Sequence, residues 1–366
     1  MMNPKKNLKK RHNPACMENE FLLESYDYVL PKKLIATYPA SPRESAKLLV
    51  YDRQKDSITH SDFFHIFDFI PPEALIVFND TKVIKARIYG HKESGGNVEI
   101  LFHRKITDER GDDRYLVQIK GRVKTGSKII LQNGYECVVE AIAEGTYREV
   151  AFFRGNKQLD FTNTLAMFEA LGHMPIPPYI KRADEALDLM EYQSVFAKHY
   201  GAIAAPTASL HFSSFSMERL QKDFSHCFLT LHVGAGTFAG IETADIRNHR
   251  MHTESLLISP VAMEAIDKAS AILCVGTTAL RSVEYYKRLQ DVDKKKPLCA
   301  ECDIFLHPGN PVLCTHHLLT NFHLPKSSLL MLVSSMIGLK KCHELYNIAI
   351  EKSYRFYSYG DGMLIL

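Results

Sequence analysis

Two segments of the chain place a histidine beside small residues, a combination that suits a site where the backbone approaches a ligand closely. Residues 192–212 contain a glycine, several alanines and a Pro-Thr pair before His211. Residues 229–238 contain His232, followed by two glycines. A packing core would favour larger apolar side chains at these positions. The pattern therefore predicts a site for a large, flat, polar substrate, with imidazoles that can exchange protons near neutral pH.

A third candidate is the short run from His249 to Glu254, which also contains His252. If this run is a strand, His252 and Glu254 share one face, because side chains alternate between the two faces of a strand. Such a pair could transfer protons or hold a substrate by hydrogen bonds. A metal site and a solvated polar face are the alternatives, and we favour the acid/base or hydrogen-bonding interpretation.

The glycines of residues 234–240 resemble a dinucleotide-binding fingerprint. In that fingerprint the glycines open a helix after the first strand of a domain, and an acidic residue follows about twenty positions later. Here the last glycine, Gly240, comes one residue late, and the segment lies well beyond the middle of the chain. We interpret it as a loop that contacts the ribose or base of a ligand, with a plain structural turn as the alternative.

Eight cysteines are scattered along the chain. Cys299 and Cys302 form a CxxC pair, and Cys314 and His316 follow it, a set that resembles a Cys₃His zinc site. A second CxxC pair is absent, and one such pair arises easily by chance among this many cysteines. We therefore expect no metal, and reduced thiols in a cytoplasmic protein.

The composition is that of a globular protein, with 46% hydrophobic and 24% charged residues. No apolar run approaches the roughly 18 residues that span a bilayer. The formal net charge of +3 is small, so a nucleic-acid partner would need a local basic patch. Residues 1–20 contain five basic residues and little that could pack. We interpret them as a disordered basic tail, with an arm that touches nucleic acid as the alternative.

The rest of the chain has two textures. Residues 21–80 and 155–366 alternate between strand-like and helix-like segments, as is typical of an α/β domain. Residues 81–154 contain short alternating runs separated by glycine or charged turns, which is typical of a small barrel or sandwich. The sequence therefore predicts a discontinuous α/β core domain with an inserted all-β, barrel-like domain.

Several uncommon strings of residues occur in the same order as in a known family. The chain resembles the S-adenosylmethionine:tRNA ribosyltransferase-isomerase family of queuosine biosynthesis, from about residue 26 to the end. The strings that carry the resemblance are residues 75–90, 172–180, 192–212, 229–238, 251–254, 275–282, 320–327 and 354–361.

The resemblance implies an activity, a fold and a set of partners. Members of the family transfer and isomerise the ribosyl part of S-adenosylmethionine onto 7-aminomethyl-7-deazaguanine at the wobble position of tRNA. Epoxyqueuosine-tRNA forms, and adenine and methionine leave. The family uses no metal or nicotinamide cofactor, because S-adenosylmethionine is consumed as a substrate, and its architecture is an α/β core with an inserted β-barrel. We therefore expect a cytoplasmic, monomeric enzyme without a membrane partner that acts on tRNAs with a GUN anticodon.

The chemistry that the resemblance implies needs groups that move protons. The acceptor amine must be neutral to attack, the ribose carbon beside the sulfonium is acidified, and adenine leaves more easily once it is protonated. We predict that at least one of His211 and His252 transfers a proton, with Glu254 orienting it or sharing the work. His232 is a further catalytic candidate, and plain hydrogen bonding in the core is the alternative for each histidine.

Candidate substrate-binding residues come from the same strings. Loop backbone and nearby hydroxyls could hold the adenosine or methionine part, polar side chains at a strand end could hold the ribose, and cations could meet a carboxylate or a phosphate. For the cations, a solvated or ion-paired surface charge is the alternative. The candidates are Asn79, Asp80, Lys82, Arg87, Thr207, Gly234, Ala235, Gly236, Thr237, Arg281, Asn321, His323 and Lys326.

The predicted β domain carries a set of closely spaced cations that we expect to grip the anticodon arm of tRNA. These cations are Lys120, Arg122, Lys124 and Lys128. RNA recognition often stacks an unpaired base on an aromatic ring. Candidate rings for the wobble base are Phe212, Phe238 and Phe322, each of which could equally belong to the core.

Overall fold

The structure, a computed structural model, describes residues 19–107, 111, 113–143, 145–234, 236 and 240–366. The predicted basic tail, residues 1–20, therefore lies outside the described residues except for its last two. The strands of the described residues are β1 (Lys47–Asp52), β2 (Ser57–Asp62), β3 (Ala74–Asn79), β4 (Thr81–Val83), β5 (Arg87–Lys92), β6 (Asn97–Thr107), β7 (Asp113–Lys120), β8 (Lys128–Ile130), β9 (Tyr135–Ile142), β10 (Tyr147–Arg154), β11 (Lys157–Gln158), β12 (His199–Ala202), β13 (His226–Leu231), β14 (Glu254–Ile258), β15 (Ala271–Val275), β16 (Leu298–Cys302), β17 (His317–Asn321) and β18 (Gly362–Ile365).

The α-helices are short. They are α1 (Phe161–Leu171), α2 (Asp188–Glu191), α3 (Ser214–Asp223), α4 (Pro260–Lys268), α5 (Thr277–Arg288), α6 (Ser328–Ile337) and α7 (Leu339–Glu351). Within the part of the chain that the structure describes, no helix has the length and apolar character needed to cross a membrane.

A mixed sheet of nine strands forms the centre of the larger domain, in the order β16–β14–β13–β3–β15–β17–β18–β1–β2. Its four middle strands, β13, β3, β15 and β17, run parallel to one another. β3 and β15 are buried along their whole length, which explains why both are continuous apolar runs in the sequence. Because the four strands are parallel, their carboxyl ends meet at one edge of the sheet.

The two faces of this sheet pack against different layers. Leu75 and Val77 of β3 belong to a core that includes residues of α4, α5, α6 and α7. Ile76 and Phe78 of the same strand belong to a second core, which includes α3 and the 3₁₀-helix Phe63–Asp68. Successive side chains of a strand point to opposite faces, so one buried strand supplies both cores.

The strands β5 to β10 form a second, antiparallel sheet, in the order β10–β7–β6–β5–β8–β9. A further ladder between β9 and β10 closes this sheet into a six-stranded barrel, which removes the free edges that an open sheet would have. The core of the barrel includes Ile88, Ile100 and Val117, and Phe168 of α1 packs against it. The predicted fold class, an α/β core with an inserted β-barrel, is confirmed, whereas its boundaries at residues 81 and 154 remain a prediction.

Candidate active site

A pocket with about 730 Å³ of empty space opens at the carboxyl edge of the parallel strands. Its walls include residues that directly follow β13 and β15, the last residues of β17, and the segment 204–208. Open α/β sheets commonly bind ligands at this edge, where the loops that follow neighbouring strands separate.

Two helices begin at the pocket wall. α5 starts directly after Gly276, which has a φ of +90°, and no side chain caps its first turn. The left-handed backbone at this position favours glycine over any residue with a β-carbon. α6 starts after Ser327, whose hydroxyl accepts a hydrogen bond from the N–H of Leu330. Helix amino ends carry partial positive charge, so this wall suits an anionic group such as a carboxylate.

A chain of hydrogen bonds runs from the pocket wall into the protein. Thr207 Oγ1 donates to Asn321 Oδ1 over 2.8 Å, and Asn321 Nδ2 donates to Nε2 of His211 over 3.2 Å. Thr207 and Asn321 line the pocket, whereas His211 lies buried behind them. Burial lowers the pKa of His211 to about 3, and the charges of Arg355 and Arg43 add to this shift. His211 is therefore neutral at pH 7 and orients the amide of Asn321.

His323 lines the same pocket. Its Nε2 lies 2.8 Å from Thr320 Oγ1, and its backbone N–H donates to the hydroxyl of Tyr346 over 3.0 Å. Burial lowers the pKa of His323 to about 3. The side chain is therefore a neutral hydrogen-bonding group at pH 7. Of the candidate substrate-binding residues, the structure places Thr207, Asn321 and His323 together on this wall.

Glu254 and Arg281 form a buried ion pair, in which each side chain is 5% exposed. Glu254 Oε2 accepts a hydrogen bond from Arg281 Nη1, and Glu254 Oε1 accepts one from the backbone N–H of Gly234 over 3.0 Å. Arg281 Nε donates to the carbonyl of Ile304 over 3.2 Å. We call this arrangement the Glu254 clamp, because it ties the chain that leaves β13 to helix α5. The N–H of Gly234, a candidate substrate ligand, is thus occupied by a protein carboxylate.

His252 lies in a loop, which corrects the arrangement that the sequence suggested. β14 begins at Glu254, so His252 and Glu254 do not share a strand face. His252 is exposed, and its ring packs so closely over Gly236 that a β-carbon there would lie 2.4 Å from it. Burial lowers the pKa of His103 in the barrel to about 4, and nearby His252 adds to this shift. His252 therefore lies between the loop that follows β13 and the barrel.

His232 is held beside the pocket, not in its wall. Its Nδ1 lies 2.8 Å from Thr81 Oγ1. Its ring packs against Gly201, where a β-carbon would lie 2.8 Å from the ring atoms. Burial lowers the pKa of His232, and nearby His199 adds to this effect. The close approach explains why a glycine stands at position 201.

The polar residues at the end of β3 have protein partners. The amide of Asn79 accepts from the N–H of Leu231 over 3.0 Å and donates to Thr278 Oγ1 over 3.2 Å. Thr278 lines the pocket, so Asn79 supports the wall from behind. Asp80 faces a separate groove, where burial raises its pKa and its carboxylate lies 3.7 Å from His199.

Three of the candidate cations are paired with other side chains and do not line the pocket. The partners of a lysine or arginine reduce its availability to an external anion, although surface pairs contribute little to stability. The pairs are Lys82 with the ring of Tyr200 (4.3 Å), Arg87 with Glu99 (3.1 Å) and Lys326 with Glu24 (2.8 Å).

The candidate tRNA-binding cations divide into two groups. Lys120, Arg122 and Lys124 are exposed at the end of β7 and in the loop before β8. Lys128 is paired with Glu136, over 2.8 Å between Nζ and Oε2. The three exposed cations are therefore the ones available to a phosphate backbone.

The remaining candidates either do not line the pocket or lie outside the described residues. Phe212 and Phe322 are fully buried core residues, so neither presents a face to a wobble base. Three of the candidates, Ala235, Thr237 and Phe238, lie outside the described residues. Cys299 is exposed and Cys302 is buried on β16. Among the described residues, no group of three His, Cys, Asp or Glu is placed to hold a metal ion.

Comparison with known proteins identifies the family. A family model described as "Queuosine biosynthesis protein" matches residues 23–365. A Helicobacter pylori (strain P12) protein is 59% identical over 350 residues, which cover 95% of this chain and 99% of that protein. A Helicobacter hepaticus (strain ATCC 51449 / 3B1) protein is 50% identical over 367 residues, which cover 97% and 99%. Both relatives are named S-adenosylmethionine:tRNA ribosyltransferase-isomerase.

The chain belongs to this family. The prediction of the family, and of an enzyme of the ribosyltransferase-isomerase class, is thereby confirmed. A crystal structure at 2.00 Å of S-adenosylmethionine tRNA ribosyltransferase from Thermotoga maritima is 26% identical, with a TM-score of 0.51. The match covers 93% of this chain and 99% of that chain. The architecture described above is therefore that of a solved ribosyltransferase.

In this ribosyltransferase-isomerase, the three histidine-bearing segments of the sequence meet around the pocket. Thr207 and Val233 line it, Glu254 holds the N–H of Gly234, and His252 packs over Gly236. The three segments therefore contact one another at one site and do not lie on separate surfaces of the protein.

Among the pocket residues that the sequence analysis missed are its three tyrosines, Tyr179, Tyr192 and Tyr357. Each lies within one of the strings that carry the family resemblance, and that signal could have identified them. They were passed over because an aromatic ring in a single sequence is more often a core residue than a ligand contact.

Proposed function

We propose that this enzyme transfers and isomerises the ribosyl part of S-adenosylmethionine onto 7-aminomethyl-7-deazaguanine at the tRNA wobble position. The products are epoxyqueuosine-tRNA, adenine and methionine. The observation that carries the proposal is the composition of the pocket, which combines an aromatic wall, a polar Thr207–Asn321 pair and two helix amino ends in one space. The names of the relatives, which specify S-adenosylmethionine and tRNA, support the same assignment.

Each part of the donor has a matching part of the pocket. The amino ends of α5 and α6 suit the methionine carboxylate, because free N–H groups and the helix dipole both favour a negative charge. The hydroxyl of Thr207 and the amide of Asn321 suit the polar atoms of the ribose or adenine. The tyrosine rings offer apolar area to the adenine and to the sulfonium.

We assign different roles to the catalytic candidates. His252 is exposed between the loop after β13 and the barrel, so it can meet an acceptor base that approaches from the barrel side and accept its ammonium proton. His211 lies behind Asn321 and orients it, and Glu254 holds the loop through its clamp. A general base typically contributes about 10²–10⁴-fold to a rate. We therefore expect His252→Ala to lower kcat by at least about 100-fold, and His211→Asn to act mainly on the KM for S-adenosylmethionine.

The barrel is the proposed contact for the anticodon arm. Neutralising the three exposed cations together should make the plot of log association constant for tRNA against log salt concentration less steep. The magnitude of its slope should fall by about two to three, because each phosphate contact releases roughly 0.7–0.9 of a counterion. The matched control is Lys128→Ala, since Lys128 is already paired with Glu136 and should change the slope little. An unchanged slope in the triple variant would exclude the barrel loop from tRNA binding. The cations replaced in the triple variant are Lys120, Arg122 and Lys124.

The decisive experiment is incubation of the full chain with S-adenosylmethionine and a tRNA that carries the deazaguanine precursor. Mass analysis of the anticodon nucleoside should show the epoxyqueuosine mass, and adenine should appear in equal amount. A second candidate, an RNA-binding protein without catalysis, predicts tRNA binding without adenine release. We further propose that the enzyme is a cytoplasmic monomer and needs no metal. We also propose that it prefers tRNAs with GUN anticodons, and the same assay with tRNAs that have other wobble bases would test this preference.

A further inference from the structure

The pocket has no charged side chain in the part of its wall that the structure describes. It contains no Asp, Glu, Lys or Arg, and its one imidazole, His323, is neutral. The donor, however, carries a positive sulfonium, and a cation that leaves water needs a compensating partner. Behind the wall, the carboxylate of Asp188 binds Arg182 over 2.6 Å and accepts a hydrogen bond from Tyr359. That carboxylate is already neutralised within the protein.

Three tyrosines form one side of the pocket, and we call Tyr179, Tyr192 and Tyr357 the tyrosine wall. The rings of Tyr179 and Tyr357 stack with centroids 4.4 Å apart and planes inclined by 33°. The hydroxyl of Tyr179 accepts a hydrogen bond from the N–H of Ser358 over 3.0 Å and also bonds to the Ser358 hydroxyl. The stacked pair is therefore fixed at both the ring and the backbone.

The backbone at Tyr357 adopts a conformation that costs free energy. Its φ is +73°, in the left-handed region that is uncommon for bulky residues. The N–H of Tyr357 donates to the carbonyl of Phe322 over 3.0 Å, and its carbonyl accepts from the N–H of Gly360 over 2.9 Å. These two hydrogen bonds stabilise the strained turn. An aromatic residue therefore occupies a backbone conformation that glycine or asparagine would adopt at lower cost. Residues in such conformations cluster at functional sites, which makes the ring of Tyr357 a candidate for contact with a ligand.

Tyr192 is the buried member of the tyrosine wall. The residue is fully buried, yet its hydroxyl has no hydrogen-bond partner at normal geometry. Its polar neighbours are Ser358 and the backbone of Ala205, both of which line the pocket. These two neighbours are the polar groups within reach of the buried hydroxyl, so they help to fix the position of Tyr192 behind the stacked pair.

We propose that the stacked rings of Tyr179 and Tyr357, the two partly exposed members of the tyrosine wall, recognise the positively charged sulfonium of the donor through their faces. The inference rests on the proposed function, because it takes S-adenosylmethionine as the ligand of this pocket. An aromatic face attracts a cation within about 6 Å of its centre, and the attraction grows as water is excluded. The enzyme thereby distinguishes the sulfonium from a neutral thioether of the same shape without an ion pair.

The test compares S-adenosylmethionine with S-adenosylhomocysteine, which has a neutral sulfur. Calorimetry on the full chain without tRNA gives the two dissociation constants and their ratio. We expect Tyr357→Asn to reduce the preference for the sulfonium by about 3- to 30-fold and to leave the affinity for the thioether nearly unchanged. Asparagine tolerates a positive φ, so this variant retains the turn. Tyr357→Phe should keep the preference within about twofold, because its ring face remains.

A matched control is Tyr89→Asn, which makes the same change at an exposed barrel position and should leave the ratio unchanged. Equal weakening of both ligands by Tyr357→Asn, or an unchanged ratio, would overturn the proposal. The ratio of the two dissociation constants for the wild-type enzyme provides a test that needs no variant. This ratio should stay constant from about 0.05 to 1 M salt, because salt screens the attraction between a buried cation and a ring face less than it screens an exposed ion pair. A tenfold fall would indicate a carboxylate partner. If the wild-type enzyme binds neither ligand, the titration is repeated with a tRNA that lacks the deazaguanine precursor, so that no turnover occurs. Binding of neither ligand with tRNA present would refute the proposed function, whereas equal binding of both would refute only the role of the rings.

Discussion

Replacement of Glu254 by Gln tests the clamp that joins the loop after β13 to helix α5. Gln can still accept the hydrogen bond from the N–H of Gly234 through its oxygen. Its amide group, however, places two N–H donors against the guanidinium of Arg281, where a carboxylate oxygen now accepts. The variant therefore removes the negative charge and leaves the positive charge of Arg281 buried without a counter-charge.

The size of the effect follows from burial. Both side chains of the pair are 5% exposed, and the loss of one partner of a buried pair costs about 3–5 kcal/mol. This cost is a large part of the roughly 5–15 kcal/mol by which a domain is stable. The double variant Glu254→Gln/Arg281→Met removes the unpaired charge and should recover about 2 kcal/mol of the loss.

The assay combines urea unfolding with steady-state kinetics. We expect Glu254→Gln to lower the free energy of unfolding by about 3–5 kcal/mol. The KM for S-adenosylmethionine should rise about tenfold, a free-energy change of about 1.4 kcal/mol. The reason is that Gly234, which follows Val233 of the pocket wall, is no longer held by the carboxylate. The matched control is Glu301→Gln, the same change at an exposed position of neighbouring β16, which should stay within about 0.5 kcal/mol.

A different result would refute this reasoning. If Glu254→Gln kept normal stability and normal KM but lowered kcat by about 10³-fold or more, Glu254 would act on the reacting atoms and the clamp would be secondary. An unchanged free energy of unfolding alone would show that the ion pair does not stabilise the loop.

Two further predictions concern stability. His211 and His323 are neutral in the folded state but have a pKa near 6.5 when unfolded, so the unfolded state binds more protons and stability should fall as the pH drops below about 6.5 towards 3. His211→Asn should reduce that slope by about 1.4 kcal/mol per pH unit in urea unfolding between about pH 4 and 6, and an unaltered slope would contradict the buried neutral imidazole. Gly201→Ala would place a β-carbon 2.8 Å from the ring of His232 and should cost about 1–3 kcal/mol. Gly240→Ala, with no atom within 4 Å of the added carbon, is its control, and equal urea midpoints for the two variants would show that the close approach carries no cost.

Much of the architecture could be predicted from local patterns. The continuous apolar runs of β3 and β15 are typical of strands that are buried on both faces, and both strands are buried throughout. The alternating runs after residue 81 indicated a β module, and these strands close into a barrel. Both features repeat over neighbouring residues, so the period of the side chains is enough to reveal them.

The pairing of charges could not be predicted in this way. Glu254 and His252 are close in sequence but lie in different environments, because β14 begins between them. Lys326 was expected to bind an anion, yet it is paired with Glu24, 302 positions away. Contacts over such separations depend on how the sheet and its helices pack, which no local pattern encodes.

The order of side chains along this chain was sufficient to indicate the family, the layers of the fold and the three segments that surround the pocket. Only the packed molecule showed that Thr207 bonds to Asn321, 114 positions later, and that Tyr357 stacks on Tyr179. The reason is physical: hydrophobic periodicity and turn chemistry act between neighbours, whereas a pocket arises where distant segments exclude water together.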